Sequence, residues 1–197
     1  MSKMKTKQII QEVFNNMCKM YESIFTNYYP SHGSTGFTER NLTFYFSHFY
    51  LKSANNLSDI IVWQEVPIEE GGHFDTLIID TINEKIIIIE AKRLQNDHKI
   101  DSISKDYGRI VDILINKNNE HGIKIPSTFS TYDKYALLLT DIWIPKDNNT
   151  KETIKNNFLE YKIQNQLDNN CKVIENINIY EHSEEKYCLM YNLYKIS

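Results

Sequence analysis

Asp75, Glu90 and Lys92 are the residues of this 197-residue chain whose types and spacing could do chemistry. Asp75 opens the run Phe74-Asp75-Thr76-Leu77-Ile78-Ile79-Asp80. Glu90 and Lys92 close the run Ile86-Ile87-Ile88-Ile89-Glu90-Ala91-Lys92, and Asn83-Glu84-Lys85 lies between them. The pattern predicts a β-hairpin. Successive side chains of a strand point to opposite faces, so Glu90 and Lys92 share a face while Ala91 points away. A loop of two or four residues around Ile82 to Lys85 places either Glu90 or Lys92 opposite Asp75, and cross-strand partners share a face. Two carboxylates and an ammonium then converge.

Like charges facing each other on a sheet destabilise it by roughly 0.2–1 kcal/mol. A divalent cation removes that conflict. Mg²⁺ takes one or two carboxylates together with waters and phosphate oxygens, and such a site suits phosphodiester hydrolysis: the ion lowers the pKa of the attacking water and screens the developing charge. Lys92 then stands beside it as a compact, mobile positive charge with three donors.

Asp75 followed fifteen positions later by Glu90-Ala91-Lys92 resembles the PD-(D/E)XK nuclease superfamily, the restriction endonuclease-like fold. The match covers the hairpin closely and the element order over about residues 38–145 more loosely. Phe74 stands where the motif's name has proline. The resemblance implies a metal-dependent DNA endonuclease using Mg²⁺, or Mn²⁺ in its place. Asp75 and Glu90 would be its metal ligands, and Lys92 would place the attacking water or stabilise the transition state. It also suggests a setting in restriction or antiphage defence.

The rest of the chain must position that hairpin. Residues 5–28 carry Ile10, Val13, Phe14, Met17, Met20, Tyr21, Ile24 and Tyr28 at three- and four-residue steps, which predicts an amphipathic helix. Turn-forming residues follow from Pro30 to Gly36. Thr38 is placed to cap a second helix from Glu39 to about Ser53, with Leu42, Phe46, Phe49 and Tyr50 as its apolar stripe. Asp59 to Val66 reads as a first strand. Four consecutive isoleucines, Ile86 to Ile89, predict a strand buried on both faces and central in its sheet. Ile100, Ile103, Tyr107, Ile110, Val111 and Leu114 predict a strong amphipathic helix, and Tyr135 to Trp143 a second buried strand. A helix between two strands makes a parallel crossover the natural connection. A further helix is expected over 151–168, and the alternating pairs Ile177/Ile179 and Tyr187/Leu189/Tyr191/Leu193 predict a C-terminal hairpin turning at His182 to Glu185. The expected architecture is one α/β domain over 1–197, with a mixed central sheet flanked by helices. Its core spans 38–145, with an N-terminal helical extension over 1–30 and an added hairpin over 170–197.

Several other residues could serve the site. Glu39 falls in the first turn of its helix, near the face that packs on the sheet. It is either a further metal ligand or an acid favoured there by the helix dipole. Glu65 is a second spare acid, and His73 lies two residues before Asp75 on its face. Arg40, Arg93, Lys105 and Arg109 are candidates for contacting nucleic-acid phosphates, although Asp101, Asp106 and Asp112 are interspersed. Tyr45 and His48 could stack on bases. Gly108 inside a helix costs about 1 kcal/mol relative to alanine, which close packing on the sheet or close approach of a ligand would explain.

Composition sets limits. No apolar run approaches the roughly 18–20 residues that span a bilayer, so a soluble protein without a membrane partner is expected. The N-terminus is basic but leads into an amphipathic pattern, not an export signal. Cys18, Cys171 and Cys188 include no C-x-x-C pair, which indicates neither a disulfide framework nor a zinc site and fits a reducing cytoplasm. A net charge of −4 leaves little basic surface for a duplex. One such site hydrolyses one strand, so a homodimer or a partner protein is expected for cutting duplex DNA; RNA is an open alternative substrate. A nuclease-fold module that binds nucleic acid or a protein without cutting is the alternative reading, although a complete Asp, Glu and Lys set favours catalysis.

Overall fold

The computed structural model describes residues 6–27, 38–54, 56–68, 72–94, 97–115, 126–143, 171–176, 180–182 and 187–196, with Thr153 and Asn156 as isolated positions. The helix expected over 151–168, and Ile177 and Ile179, lie outside the described residues.

The first helix, α1 (Thr6–Asn27), buries Ile9, Ile10, Val13, Phe14, Met17, Tyr21 and Phe25 along one face. The second, α2 (Glu39–Ser53), begins after Thr38, whose N–H donates to Asn41 Oδ1 at 2.8 Å, and buries Leu42, Phe46 and Tyr50. Three antiparallel strands follow: β1 (Ile60–Pro67), β2 (His73–Asp80) and β3 (Lys85–Arg93). After β3 come helix α3 (Asp97–Ile115) and strand β4 (Asp133–Trp143), which lies parallel to β3 as the crossover predicts. The chain closes with β5 (Cys171–Asn176), β6 (Tyr180–His182) and β7 (Tyr187–Ile196). All belong to one mixed sheet in the order β1-β2-β3-β4-β7-β5, with β6 also paired to β7. The fold is α/β, with helices on both faces of the sheet.

The isoleucine run explains the centre. Ile86 and Ile88 face α3 and join a core with Leu77, Ile103, Tyr107, Ile110 and Leu138. Ile87 and Ile89 face the other way, into a core with Phe14, Met17, Leu42, Phe46 and Leu137 from α1, α2 and β4. All four are fully buried. Burying one such side chain is worth about 1.5–3 kcal/mol.

The expected C-terminal hairpin forms, β6 pairing with β7 from Tyr180↔Leu189 to His182↔Tyr187, but it is not an addition to a finished core, because β7 also pairs with β4 from Lys134↔Ile196 to Trp143↔Tyr187. Cys188 and Met190 pack on the α3 side while Leu189, Tyr191 and Leu193 pack on the other, so β7 is an interior strand.

Hairpin register decides which residues meet, since a one-residue slip moves every side chain to the opposite face. Asp80, buried at the end of β2, fixes it. Its Oδ1 accepts from Asn83 N–H at 2.9 Å, and its Oδ2 accepts from Asn83 Nδ2 at 2.8 Å and from the Tyr50 hydroxyl at 2.9 Å. The turn therefore spans 81–84, with Glu84 at φ 54, and Thr76 pairs with Ile89. On the far side of the sheet, Lys134 Nζ caps the Leu114 carbonyl at 2.8 Å and ties the end of α3 to β4. No helix among the described residues is long and apolar enough to cross a membrane.

Packing on the sheet does not require Gly108. A Cβ built there meets no atom within 4 Å, so the close-packing explanation fails. Gly108→Ala is expected to raise the unfolding free energy by about 0.5–1 kcal/mol through helix propensity. The central strand behaves oppositely. Ile88→Ala should lower stability by about 2–5 kcal/mol through lost burial and a residual cavity. Leu57→Ala, at a position 63% exposed, should change it by less than about 0.5 kcal/mol. Urea titrations of the three variants check these values.

Candidate active site

The ladder between β2 and β3 runs from Asp80↔Lys85 to Thr76↔Ile89 and then ends. One step further, the same register sets Asp75 opposite Glu90, on the α3 face of the sheet. Strand β1 is also distorted here: Glu65 has φ 54 between the pairs Gln64↔Thr76 and Val66↔Phe74. With β2 turned away, the β3 edge keeps its N–H groups but loses their strand partner. Carboxylates replace it. Ala91 N–H donates to Asp75 Oδ2 at 2.7 Å, and Arg93 N–H donates to Glu39 Oε1 at 2.8 Å. Alternate residues of a strand direct their N–H groups to one edge, so Asp75 and Glu39 cap successive donors of the same edge.

Glu90 projects from β3 beside Asp75 and is almost fully buried. Burial pushes its carboxyl up to about 9, helped by the negative charges of Asp75 and Asp106, and Arg109 offsets little of this. The same burial raises Asp75, against the hydrogen bonds from Ala91 N–H and from Glu90. Both shifts favour a protonated Glu90 at neutral pH, hydrogen-bonded to Asp75. Arg109 Nη2 lies 3.1 Å from Glu90 Oε1, a contact that a neutral carboxyl also accepts, more weakly than a carboxylate.

Lys92 lies on the same face, two residues on. Burial acts to lower its pKa, but Asp106, then Glu39 and Glu90, outweigh it and leave the ammonium raised. Its Nζ is 3.2 Å from Asp106 Oδ2. Asp106 Oδ1 in turn accepts from Arg109 Nη2 at 2.8 Å. The Arg109 guanidinium lies 5.3 Å over the Phe74 ring. The sequence pointed to Asp75, Glu90, Lys92 and Glu39, and the structure brings all four to this end of β3. It did not point to Asp106. The one available signal was its place three residues before Arg109, on the same flank of α3.

The basic rim is placed differently from expectation. Arg93 does not project to the surface. It forms a two-pronged pair with buried Asp141, Nε to Oδ1 at 3.1 Å and Nη2 to Oδ2 at 2.8 Å, because the register sets Asp141 beside it on β4. Arg109 turns inward to Glu90 and Asp106, and Lys105 is exposed on α3. Arg40 Nε lies 3.2 Å from Glu65 Oε1, and His73 Nε2 lies 2.6 Å from Glu65 Oε2, so Glu65 and His73 form an exposed cluster with Arg40. On α2, Phe46 and Tyr50 are core residues and Tyr45 is partly buried, while exposed Phe44 stacks on His48. Burial pushes the Cys18 thiol up to about 12, which leaves it protonated and unreactive at neutral pH. Among the described residues no group of three His, Cys, Asp or Glu side chains is arranged to hold a metal ion.

The proton on Glu90 sets a pH dependence. Between the ordinary value of 4.5 and about 9, the folded protein holds a proton at Glu90 that the unfolded chain has released. Stability in chelator should therefore fall as pH rises through that window. Glu90→Gln keeps the neutral form at every pH, so its melting temperature should decline less from pH 5 to pH 9 than that of the wild type. Parallel melting curves of the two proteins decide it; equal slopes would mean that Glu90 is ionised throughout.

Comparison of the chain with protein families, with curated proteins and with solved structures finds no match.

Proposed function

We propose that this chain is a divalent-metal-dependent nuclease with a restriction endonuclease-like core, hydrolysing phosphodiester bonds of DNA. The observation that carries the reading is the convergence of Asp75, Glu90 and Lys92 on one face where β2 leaves β3. The order α2, β1, β2, β3, α3, β4 supports it, since it agrees with the order that the resemblance implies.

The donor set suits Mg²⁺ or Mn²⁺. Every candidate ligand is a carboxylate oxygen, and Mg²⁺ uses one or two of these with waters. Asp75 and Glu90 would hold the ion, with Glu39 in reach of the same strand end. If all are ionised, the carboxylates of Asp75, Glu90, Glu39 and Asp106 exceed the cations Lys92 and Arg109 by two charges, which one divalent ion balances. When bound, the ion supplies a more acidic water and screens charge on the phosphoryl group.

The chain's own residues do the rest. The Ala91 N–H fixes one oxygen of Asp75, so that carboxylate is oriented in advance. The Lys92 ammonium carries three donors and directs them to the attacking water or to a phosphoryl oxygen. The planar Arg109 guanidinium, set over Phe74, suits a pair of phosphate oxygens. Strand β3, buried on both faces behind Glu90, keeps these groups from shifting.

Purified protein incubated with plasmid, linear duplex, single-stranded DNA and RNA, each with Mg²⁺, Mn²⁺ or chelator, tests the reading. Cleavage is expected with metal and none with chelator. Asp75→Asn and Glu90→Gln should abolish it, together with the rise in melting temperature that Mg²⁺ produces. Lys92→Ala should lower the rate by roughly 10²–10³-fold and keep that rise. Binding without cleavage of any substrate would favour the non-cutting module instead.

A further inference from the structure

We propose that Asp106 is a positioning residue of this site, its two carboxylate oxygens holding the Lys92 ammonium and the Arg109 guanidinium in place beside Asp75 and Glu90. The inference rests on the nuclease reading for its catalytic consequence, and on contacts alone for its structural one.

Each oxygen of Asp106 has one cation: Oδ2 meets Lys92 Nζ at 3.2 Å and Oδ1 meets Arg109 Nη2 at 2.8 Å. The carboxylate itself is well placed to act as a fixed point. Ile103, Tyr107 and Ile110, on either side of it in α3, are buried against the sheet, so its backbone cannot drift. A lysine alone keeps about 2 kcal/mol of rotamer freedom on a four-carbon stem. Asp75 is fixed by the Ala91 N–H, whereas Lys92 Nζ donates to no backbone carbonyl among the contacts described above. Asp106 supplies the restraint from the helix.

Two further atoms indicate what the held cations face. Arg109 Nε is buried with no hydrogen-bond partner among the described residues, and so is Thr140 Oγ1. Thr140 is the β4 residue in register with Lys92, so it joins the same face. Buried polar groups are nearly always satisfied. An unspent guanidinium donor and an unspent hydroxyl share this face with the held ammonium, and all three are groups that bind an oxyanion, the chemistry of a phosphodiester. Asp106 would keep Lys92 and Arg109 near that oxyanion without entering the Asp75–Glu90 pair.

Asp106→Asn keeps the shape and loses the charge; Asp106→Glu keeps the charge. Both are made in the full chain. Cleavage, Mg²⁺-induced melting shift and the ¹H–¹⁵N NMR signal of the Lys92 ammonium are measured, the last assigned with Lys92→Arg. For Asp106→Asn, kcat should fall by about 10–100-fold, as for loss of an outer partner of a site group, with KM changed by less than about threefold. The Mg²⁺ shift should persist. The wild-type ammonium signal, sharp because Lys92 is held, should be lost in Asp106→Asn, and Asp106→Glu should recover part of both rate and signal. A rate within about twofold of wild type in Asp106→Asn would overturn the proposal, as would loss of the Mg²⁺ shift, which would make Asp106 a ligand. If the wild type cleaves nothing, the nuclease reading fails by itself. The ammonium signal still decides the positioning role, because a signal unchanged in Asp106→Asn refutes it.

Discussion

The rest of the site depends on one event in the sheet: the β2–β3 ladder stops at Thr76↔Ile89, leaving residues 73–75 unpaired with β3, and the N–H groups of Ala91 and Arg93 need acceptors. A buried donor left unmade costs about 1–3 kcal/mol, so something must take each of them. Carboxylates do, and hydrogen bonds to charged acceptors are the stronger kind. Asp75 comes from the departing strand itself, and Glu39 from the first turn of α2 on the other face of the sheet. The backbone therefore dictates where two acids sit. The third, Glu90, is carried there by the strand whose edge they cap.

This arrangement has an electrostatic cost that packing does not remove. Glu90 lies in the central strand, nearly out of water, with Asp75 and Asp106 adding negative charge. A buried carboxylate relieves such a conflict by protonation or by pairing. Burial favours the first at Glu90, and the contact with Arg109 supplies the second. Neither contributes much to folding, since the desolvation of a buried ion pair consumes most of its attraction. An apolar residue at position 90 would extend the isoleucine run and join the core on the α3 side. A polar cluster held against that alternative is the physical ground for expecting a ligand, because perturbed acids converge where chemistry is done as well as in structural networks.

The sequence made the local geometry legible because strand and helix periods are local properties. The isoleucine run identified β3, loop length narrowed the register to Glu90 or Lys92 opposite Asp75, and the helix between two buried strands implied the parallel crossover. What escaped was set by tertiary contact. Arg93 and Asp141 are 48 positions apart, and only the β3–β4 register brings them together. Asp106 looked like one of several acids diluting a basic helix flank, and its rotation toward Lys92 follows from which face of α3 packs down. The place of β7 inside the sheet was not legible from the alternation of Tyr187, Leu189, Tyr191 and Leu193, although Cys188 and Met190 between them are also apolar.

The same contacts bear on how an anionic polymer would meet this surface. Arg93, tied to Asp141, joins β3 to β4 at the strand ends and so holds the site's frame, a structural task with no charge to spare. Lys92 and Arg109 are both engaged with Asp106. Under the proposed function, attraction for DNA then depends on the charge balance at the site and not on a free basic patch. A divalent ion at Asp75 and Glu90 would cancel the two excess negative charges and withdraw Glu90 from Arg109. Arg109, still held by Asp106, would have the donor on that side free for phosphate. The net charge of −4 is then compatible with a phosphodiester substrate, since the site itself would be neutral once the metal is bound.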